Sequence, residues 1–304
     1  MSRLAFVFAG QGAQKLGMSL DFSPRSSGVK KLFDMAQAKR GDIVNLMRNG
    51  PQETLDITLN TQPALFLADL ACAEALAEAG VKADGVAGFS LGEIPAACFA
   101  GLMEAAQAFD FVCFRAQAMQ ACTETHPGSM FAVLRLSASE IEVICASVEQ
   151  AFPANYNHPG QVVVSCAEAS IEEFLGRVQE AGGKVVQLAV SGAFHCPLMD
   201  EAANEVADYL EEVALHPLRI PLYANATGRL YEDPKSLLAR QVDHPVLWQK
   251  TIENMIADGF DVFIEVGPGK TLSGLISRIN PDVRTYNVAD STSLIYTMEE
   301  LKDA

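Results

Sequence analysis

The sequence predicts an α/β fold with a smaller unit set into it, and three observations carry that reading. Apolar runs alternate with helical patterns through the first 120 or so residues, the order changes at about residue 126, and the first pattern resumes after about residue 190. Alternating strands and helices imply βαβ units and a mostly parallel, buried sheet. LAFVFAG (4–10) is the first core strand, TQPALFLADLACAEALAEAG (61–80) a helix, GVAGFS (85–90) the next strand, and a helical run follows to about 121. From residue 128, SMFAVLRL reads as a strand, SASEIEVICASVEQ as a helix, AFPANYN and QVVVSC as strands around the turn His158-Pro159-Gly160, SIEEFLGRVQEAG as a helix and KVVQLAV as a strand. That β-α-β-β-α-β order is a ferredoxin-like unit. A long helix over about 197–215, the strand IPLYANA and the strand DVFIEVG leading into PGKTLSGLIS then complete the first sheet. The expected division is 1–125 with 191–304 as a large domain, and 126–190 as the insert.

A chain of 304 residues, 49% hydrophobic and 20% charged, can bury a large core. Thirty-eight acidic against 22 basic residues give a net charge of −16, which repels phosphate backbones and argues against nucleic acid as a partner. Part of the acidic excess lies in MDEAANEVADYLEEV (199–213), which reads as a solvated helix face. The seven cysteines (72, 98, 113, 122, 145, 166, 196) form no C-x-x-C pair, a pattern that fits reduced thiols in a cytoplasmic protein. LAFVFAG is too short for a secretory signal, and no segment approaches the ~18 uninterrupted apolar residues of a membrane helix.

Within VAGFSLGEIP (86–95), Ser90 sits in G-x-S-x-G where a strand gives way to a helix. This is the setting of a nucleophile elbow: the glycines permit a tight turn, and the helix start places the hydroxyl near backbone N–H groups and a positive dipole end. A serine hydroxyl needs a base. His126, His158, His216 and His244 each precede a proline, which biases them to extended or turn positions at element ends. His195 instead follows AVSGAF and precedes the helix carrying PLMDEA, a junction from which a side chain can face a cleft. Serine before histidine is the chain order of an α/β-hydrolase triad, which places an acid at a strand end between them. No carboxylate between 90 and 195 stands convincingly there, so either something else orients the histidine or the hydrolase reading fails. GPGK (267–270) lacks the G-x-x-x-x-G-K-[ST] spacing of a phosphate loop.

FAGQGAQ (8–14), NTQPAL (60–65), GFSLGE (88–93), Arg115, NHPGQVVVS (157–165), GAFHCPLM (192–199), RQVDHPVLW (240–248) and EVGPGKTLSGL (265–275) run in order over nearly the whole chain. Together they resemble the malonyl-CoA:acyl-carrier-protein transacylase family, the acyltransferases of fatty acid and polyketide synthesis. The resemblance implies a hydrolase-like core with a ferredoxin-like insert, Ser90 as nucleophile and His195 as base. It also implies that the backbone carbonyl of Gln241 orients His195, which meets the physical need, since an acceptor on one ring nitrogen leaves the other free to take a proton. The backbone N–H groups of Gln11 and Leu91 match the oxyanion hole, and Arg115 the cation that receives the malonyl carboxylate. A guanidinium suits that task because its planar fork makes two parallel charge-assisted bonds. Gln62 and Asn157 match polar residues near the acyl pocket, and Phe194 an aromatic that crowds an α-methyl substituent.

The implied reaction carries malonyl from malonyl-CoA to the phosphopantetheine thiol of acyl carrier protein through a malonyl-serine ester, with coenzyme A as substrate carrier, no metal or resident cofactor, and a monomeric enzyme. Rival readings are an acyl hydrolase or thioesterase of the same shape, and a catalytically silent scaffold subunit. The sequence departs from the family pattern at Phe89 (usually histidine), Ala9 (frequently proline), Pro95, early in the helix after the elbow, and Cys166. Because carrier proteins are generally acidic, a local basic surface near the cleft is expected to override the charge of −16, with Lys184, Lys270 and Arg278 as candidates.

Overall fold

The computed structural model describes residues 2–302. Nine strands are named β1 (Arg3–Phe8), β2 (Gly85–Gly88), β3 (Gly128–Leu134), β4 (Ala151–His158), β5 (Gln161–Ala167), β6 (Lys184–Gln187), β7 (Leu222–Tyr223), β8 (Phe260–Val266) and β9 (Arg284–Val288). Five of them form a parallel sheet in the order β7-β2-β1-β8-β9. From Leu4 to Phe8 the first strand is apolar because helices cover both of its faces. Phe6 and Phe8 enter the core shared with the helix Thr58–Glu78, while Ala5 and Val7 enter the one built around Trp248 and Ile252. In register, Phe8 pairs with Gly88 on one side and Val266 on the other, so β1, β2 and β8 end level. Their following loops therefore gather on one rim, the carboxyl edge where open α/β sheets place ligands.

The other four strands form an antiparallel sheet in the order β4-β5-β3-β6, all between Gly128 and Gln187. Alternation on β3 divides its side chains: Phe131 and Val133 pack under the helices Ala138–Ser147 and Ile171–Glu180, whereas Met130 and Ala132 join the core of the large body. A capping box at Ser137 and Glu140 starts the first of those helices. The antiparallel sheet is fastened to the segment leading into the helix Trp248–Ala257, where Tyr156 N–H donates to the Val246 carbonyl at 2.9 Å and Val246 N–H to the Ala154 carbonyl at 2.8 Å.

Several elements differ from the sequence expectation. The helix expected over 61–80 begins at Thr58, which puts Pro63 inside it. Proline has no N–H for the Leu59 carbonyl, and Arg40 supplies one, its Nη1 donating there at 2.7 Å. Pro95 is the third residue of the helix Glu93–Phe99, within the first turn, where a missing N–H costs no helical bond. IPLYANA shrinks to the two residues of β7, and KVVQLAV stops at Gln187. The helix expected over 197–215 is a 3₁₀ turn, Pro197–Met199, followed by Asp200–Glu211. β9 and the helix Ser291–Glu300 were not expected at all. Among the described residues no helix is long and apolar enough to cross a membrane.

Candidate active site

Ser90 stands where the chain leaves β2 and enters a one-turn 3₁₀ helix, Ser90–Gly92. The glycines around it are demanded by packing more than by dihedral freedom. A Cβ on Gly88 would lie 2.0 Å from the Gly92 carbonyl, and one on Gly92 would lie 2.2 Å from the Phe8 carbonyl oxygen. The turn thus folds tightly on itself and onto β1. Ser90 carries the strain, with φ of 52°, and His195 is likewise left-handed at 60°. Such backbones in residues other than glycine cluster where surrounding structure over-determines them, often at functional sites.

The two side chains meet: Ser90 Oγ lies 2.6 Å from His195 Nε2. On the other side of the ring, Nδ1 lies 3.0 Å from the Gln241 carbonyl oxygen. A carbonyl can only accept, so Nδ1 carries the hydrogen and Nε2 keeps a lone pair toward the serine hydroxyl. His195 N–H donates to the Val242 carbonyl at 2.9 Å, so one loop fixes both backbone and ring. Burial, and then the positive charge of Arg115, push the imidazole down to about 4 against the pull of the Gln241 carbonyl. It is a neutral base at neutral pH.

The elbow's backbone is gripped as well. Ser90 N–H donates to Asn225 Oδ1 at 2.7 Å, Asn225 Nδ2 donates to the Gly88 carbonyl at 2.6 Å, and Gln241 Nε2 donates to the Ser90 carbonyl at 2.5 Å. Behind them lies Glu93, fully buried, accepting from Gln241 Nε2 at 2.9 Å, Asn225 N–H at 3.3 Å and the Tyr231 hydroxyl. Burial raises its carboxyl to about 7, opposed by those hydrogen bonds and by Arg115.

Arg115 comes from the helix Ala105–Thr125 and is fully buried. Its Nη1 donates to Gln62 Oε1 at 2.7 Å and its Nη2 to Gln241 Oε1 at 2.6 Å. Among the described residues its Nε has no acceptor. Burial lowers the guanidinium to about 10, and Glu93 holds it up. A buried donor without a partner is uncommon in native proteins.

The loop after β1 packs on the elbow so closely that a Cβ on Gly10 would lie 2.6 Å from the Phe89 carbonyl oxygen. Among the described residues, neither Gln11 nor Leu91 spends its backbone N–H on a protein acceptor. The Gln11 side chain turns instead to Thr58 Oγ1, at 3.2 Å. A cleft of about 260 Å³ opens between the sheets, lined by Gln11, Phe89, Ala132, Asn157, Leu188 and Thr271 among others. Asn157 Nδ2 donates to Gln161 Oε1 at 2.9 Å, and its buried Oδ1 has no partner among the described residues. Phe194 is buried in the main core beside His195, its carbonyl accepting from Ser165 Oγ at 2.5 Å, and is not among the residues lining that cleft. Phe89 places its ring edge-on to Trp248 with centroids 5.4 Å apart, so that position is filled by aromatic packing.

A larger hollow of about 580 Å³, lined by Leu32, Glu74, Cys98 and Arg219, holds none of the candidate residues. Cys122, His126 and Glu201 bring one ligand atom each within 4.8 Å of one another, and none of them belongs to the expected site. Sequence reasoning missed Glu93, Asn225 and Tyr231. An acid in the first turn of the otherwise apolar helix EIPAACF was the one available signal.

The family profile described as "Acyl transferase domain" matches residues 5–291. The malonyl CoA-acyl carrier protein transacylase of Bacillus subtilis (strain 168) is 33% identical over 312 residues, covering 100% of this chain and 98% of that protein. That of Haemophilus influenzae is 36% identical over 303 residues, covering 96% and 97%. The crystal structure of malonyl CoA-acyl carrier protein transacylase from Clostridium perfringens superposes with a TM-score of 0.95 at 35% identity, covering 99% of this chain and 98% of that one. A malonyl-transacylase in complex with a type II PKS acyl-carrier protein gives 0.94 at 34% identity, covering 98% and 100%.

Proposed function

The chain belongs to the acyl transferase domain family, and from that premise we propose that it transfers malonyl from malonyl-CoA to the phosphopantetheine thiol of an acyl carrier protein through an ester on Ser90. The observation that carries this reading is the placing of Ser90, His195 and Arg115 on one hydrogen-bonded residue, Gln241. His195 Nε2 takes the hydroxyl proton as Ser90 Oγ attacks the thioester carbonyl. The oxyanion that develops is received by the N–H groups of Gln11 and Leu91, each such donor being typically worth about 3 kcal/mol. Collapse expels coenzyme A, whose sulfur takes the proton back from His195. The carrier's thiol then attacks the ester with His195 again as base, and Ser90 is restored.

Arg115 selects the acyl group. Its pairing with the malonyl carboxylate is a charge-assisted contact of about 1.5–3 kcal/mol, whereas acetyl leaves the cation without that partner. This chemistry is complete with hydroxyl, imidazole, guanidinium and backbone N–H groups, and asks no metal or resident cofactor of the protein. All of these groups come from one chain, so the chemistry asks for no second copy. Seven free thiols support a cytoplasmic setting. For carrier docking, exposed Lys270 is placed well, directly before the helix Thr271–Ile279 whose first residues line the cleft.

The scaffold reading needed Ser90 and His195 to lie apart, and they lie within hydrogen-bonding distance. The hydrolase reading is tested by the experiment that tests the proposal. Wild-type protein mixed with malonyl-CoA should gain one malonyl mass on the peptide containing Ser90, and carrier protein should discharge it as malonyl-carrier. Rapid release of free malonate, indifferent to carrier, would favour a hydrolase.

A further inference from the structure

Glu93 has no part in the steps above, yet it holds Gln241 and Asn225, the two side chains that grip the elbow. Its Oε2 accepts from Gln241 Nε2, and the other hydrogen of that amide goes to the Ser90 carbonyl. The amide's Oε1 accepts from Arg115 Nη2, and the backbone oxygen of the same residue accepts from His195. Gln241 is therefore oriented without ambiguity, its oxygen toward a cation and its nitrogen toward an anion. Glu93 Oε1 also accepts from the backbone of Asn225, whose side chain grips the elbow. A buried guanidinium needs a compensating charge, and Glu93, one amide away and itself fully buried, supplies it.

We propose that Glu93 is the counterion of the empty site and a positioning residue, and that it takes up a proton from solvent when a malonyl carboxylate claims Arg115. The inference rests on the malonyl reading above. Two carboxylates around one cation in a dry site cannot both stay ionised cheaply, and the proton goes to the weaker acid. Burial already holds Glu93 at about 7; Arg115 is the smallest of the influences that keep it from rising further, and a malonyl carboxylate brings its own negative charge beside it. Pairing Arg115 with substrate weakens that influence.

The surroundings accommodate the protonated form. The titratable groups facing Glu93 are Tyr231, from the segment after β7, and Arg115, from the helix Ala105–Thr125; His195 lies one residue beyond, across Gln241. Tyr231 now donates to Oε1. A phenol hydroxyl can also accept, so it can rotate and receive the new O–H while Gln241 Nε2 and Asn225 N–H keep their acceptors. The acyl transfer itself is proton-neutral, because the Ser90 proton leaves on the thiol of coenzyme A. Any net uptake thus reports a group outside the reaction.

The test uses full-length wild type and Glu93→Gln, each mixed with malonyl-CoA in weak buffer at pH 7.5 with an indicator dye, while mass spectrometry follows the ester on Ser90. Wild type should take up a large fraction of one proton per ester formed, and the ester on Glu93→Gln should form with none. In parallel, the ratio of kcat/KM for malonyl-CoA to that for acetyl-CoA on wild type should fall about tenfold or more between pH 6.5 and 8.5, because malonyl then has to bind against an ionised Glu93. The acetyl denominator cancels titration of coenzyme A and of His195. A Glu93 of purely architectural importance would leave this ratio flat. Should Glu93→Gln fail to fold, the wild-type ratio and proton count still decide. Ester formation without proton uptake, together with a flat ratio, would overturn the inference and leave the malonyl reading standing. Failure of wild type to form any malonyl ester would sink both.

Discussion

The rim of the parallel sheet and the antiparallel sheet line the same cleft, Gln11, Phe89 and Thr271 on one side and Ala132, Asn157 and Val163 on the other, and the polar network packed behind the rim is built differently from the wall. Behind the rim the polar network is dense: Gln241 engages Arg115, Glu93, Ser90 and His195, and Asn225 holds the elbow at two points, although Arg115 Nε has no acceptor among the described residues. The wall mixes apolar Ala132, Val163 and Leu188 with Asn155, Asn157 and Gln161, and its Asn157 keeps one buried oxygen without a partner among the described residues. Chemistry needs groups fixed before the substrate arrives, whereas a wall needs only shape and a spare polar atom. Perturbing the rim should therefore change rate constants and folding together, and perturbing the wall should change substrate binding alone.

The strongest break is Ser90→Ala, which should abolish the acyl-enzyme in an intact-mass assay; loading at the wild-type rate would refute the assignment. His195→Ala should slow loading by about 10²–10⁴-fold. The low value of His195, about 4, adds a signature. The base is active only when neutral, so kcat/KM for acetyl-CoA should be level from about pH 8 down to 5 and fall as pH drops through 4. A fall beginning near the usual histidine value of about 6.5 would show the ring to be wetter than described here.

Asn225→Ala probes the rim's architecture. It leaves the Ser90 N–H and the Gly88 carbonyl without their partner, a cost of about 1–3 kcal/mol, so the melting temperature should fall by several degrees along with kcat. Asn157→Ala, on the wall, should leave the melting temperature within about a degree and raise KM for malonyl-CoA by less than about tenfold. The reverse pattern would erase the distinction between the two regions. The smallest effect is at the mouth: Lys270→Glu should weaken transfer to carrier at low salt by a few-fold while leaving loading from malonyl-CoA near wild type. Equal effects on both halves would place Lys270 outside the docking surface.

Legibility from sequence follows the same division between local and distant causes. β1 and β2 were readable because burial on both faces forces unbroken apolar runs, and the antiparallel unit because its strand and helix patterns follow the β-α-β-β-α-β order. β7 was overestimated because, of IPLYANA, the backbone of Asn225 leaves the ladder, its N–H donating to Glu93 and its carbonyl accepting from Leu247. β9, RTYNV, is an edge strand with four of its five residues only partly buried, and such a run has no strong hydrophobic signature. Ser90 was visible through its glycines, and His195 because the four other histidines precede prolines. Glu93 and Asn225 could not be read that way. Their partners lie on the far side of the chain, Asn225 being 135 positions from Ser90, and only the folded rim gives them meaning.

The central claim is that Arg115, locked into the same residue that orients the catalytic histidine, chooses the acyl group. Its most direct test is kcat/KM for malonyl-, methylmalonyl- and acetyl-CoA on wild type, Arg115→Ala and Phe194→Ser. Wild type should prefer malonyl over acetyl by at least tens-fold, as the paired and unpaired states of a buried guanidinium require. Arg115→Ala should invert that preference, with malonyl collapsing while acetyl holds or rises, and Phe194→Ser should admit some methylmalonyl. If Arg115→Ala slowed all three substrates equally, Arg115 would be a prop for Gln241 and not a selector, and the claim would be wrong.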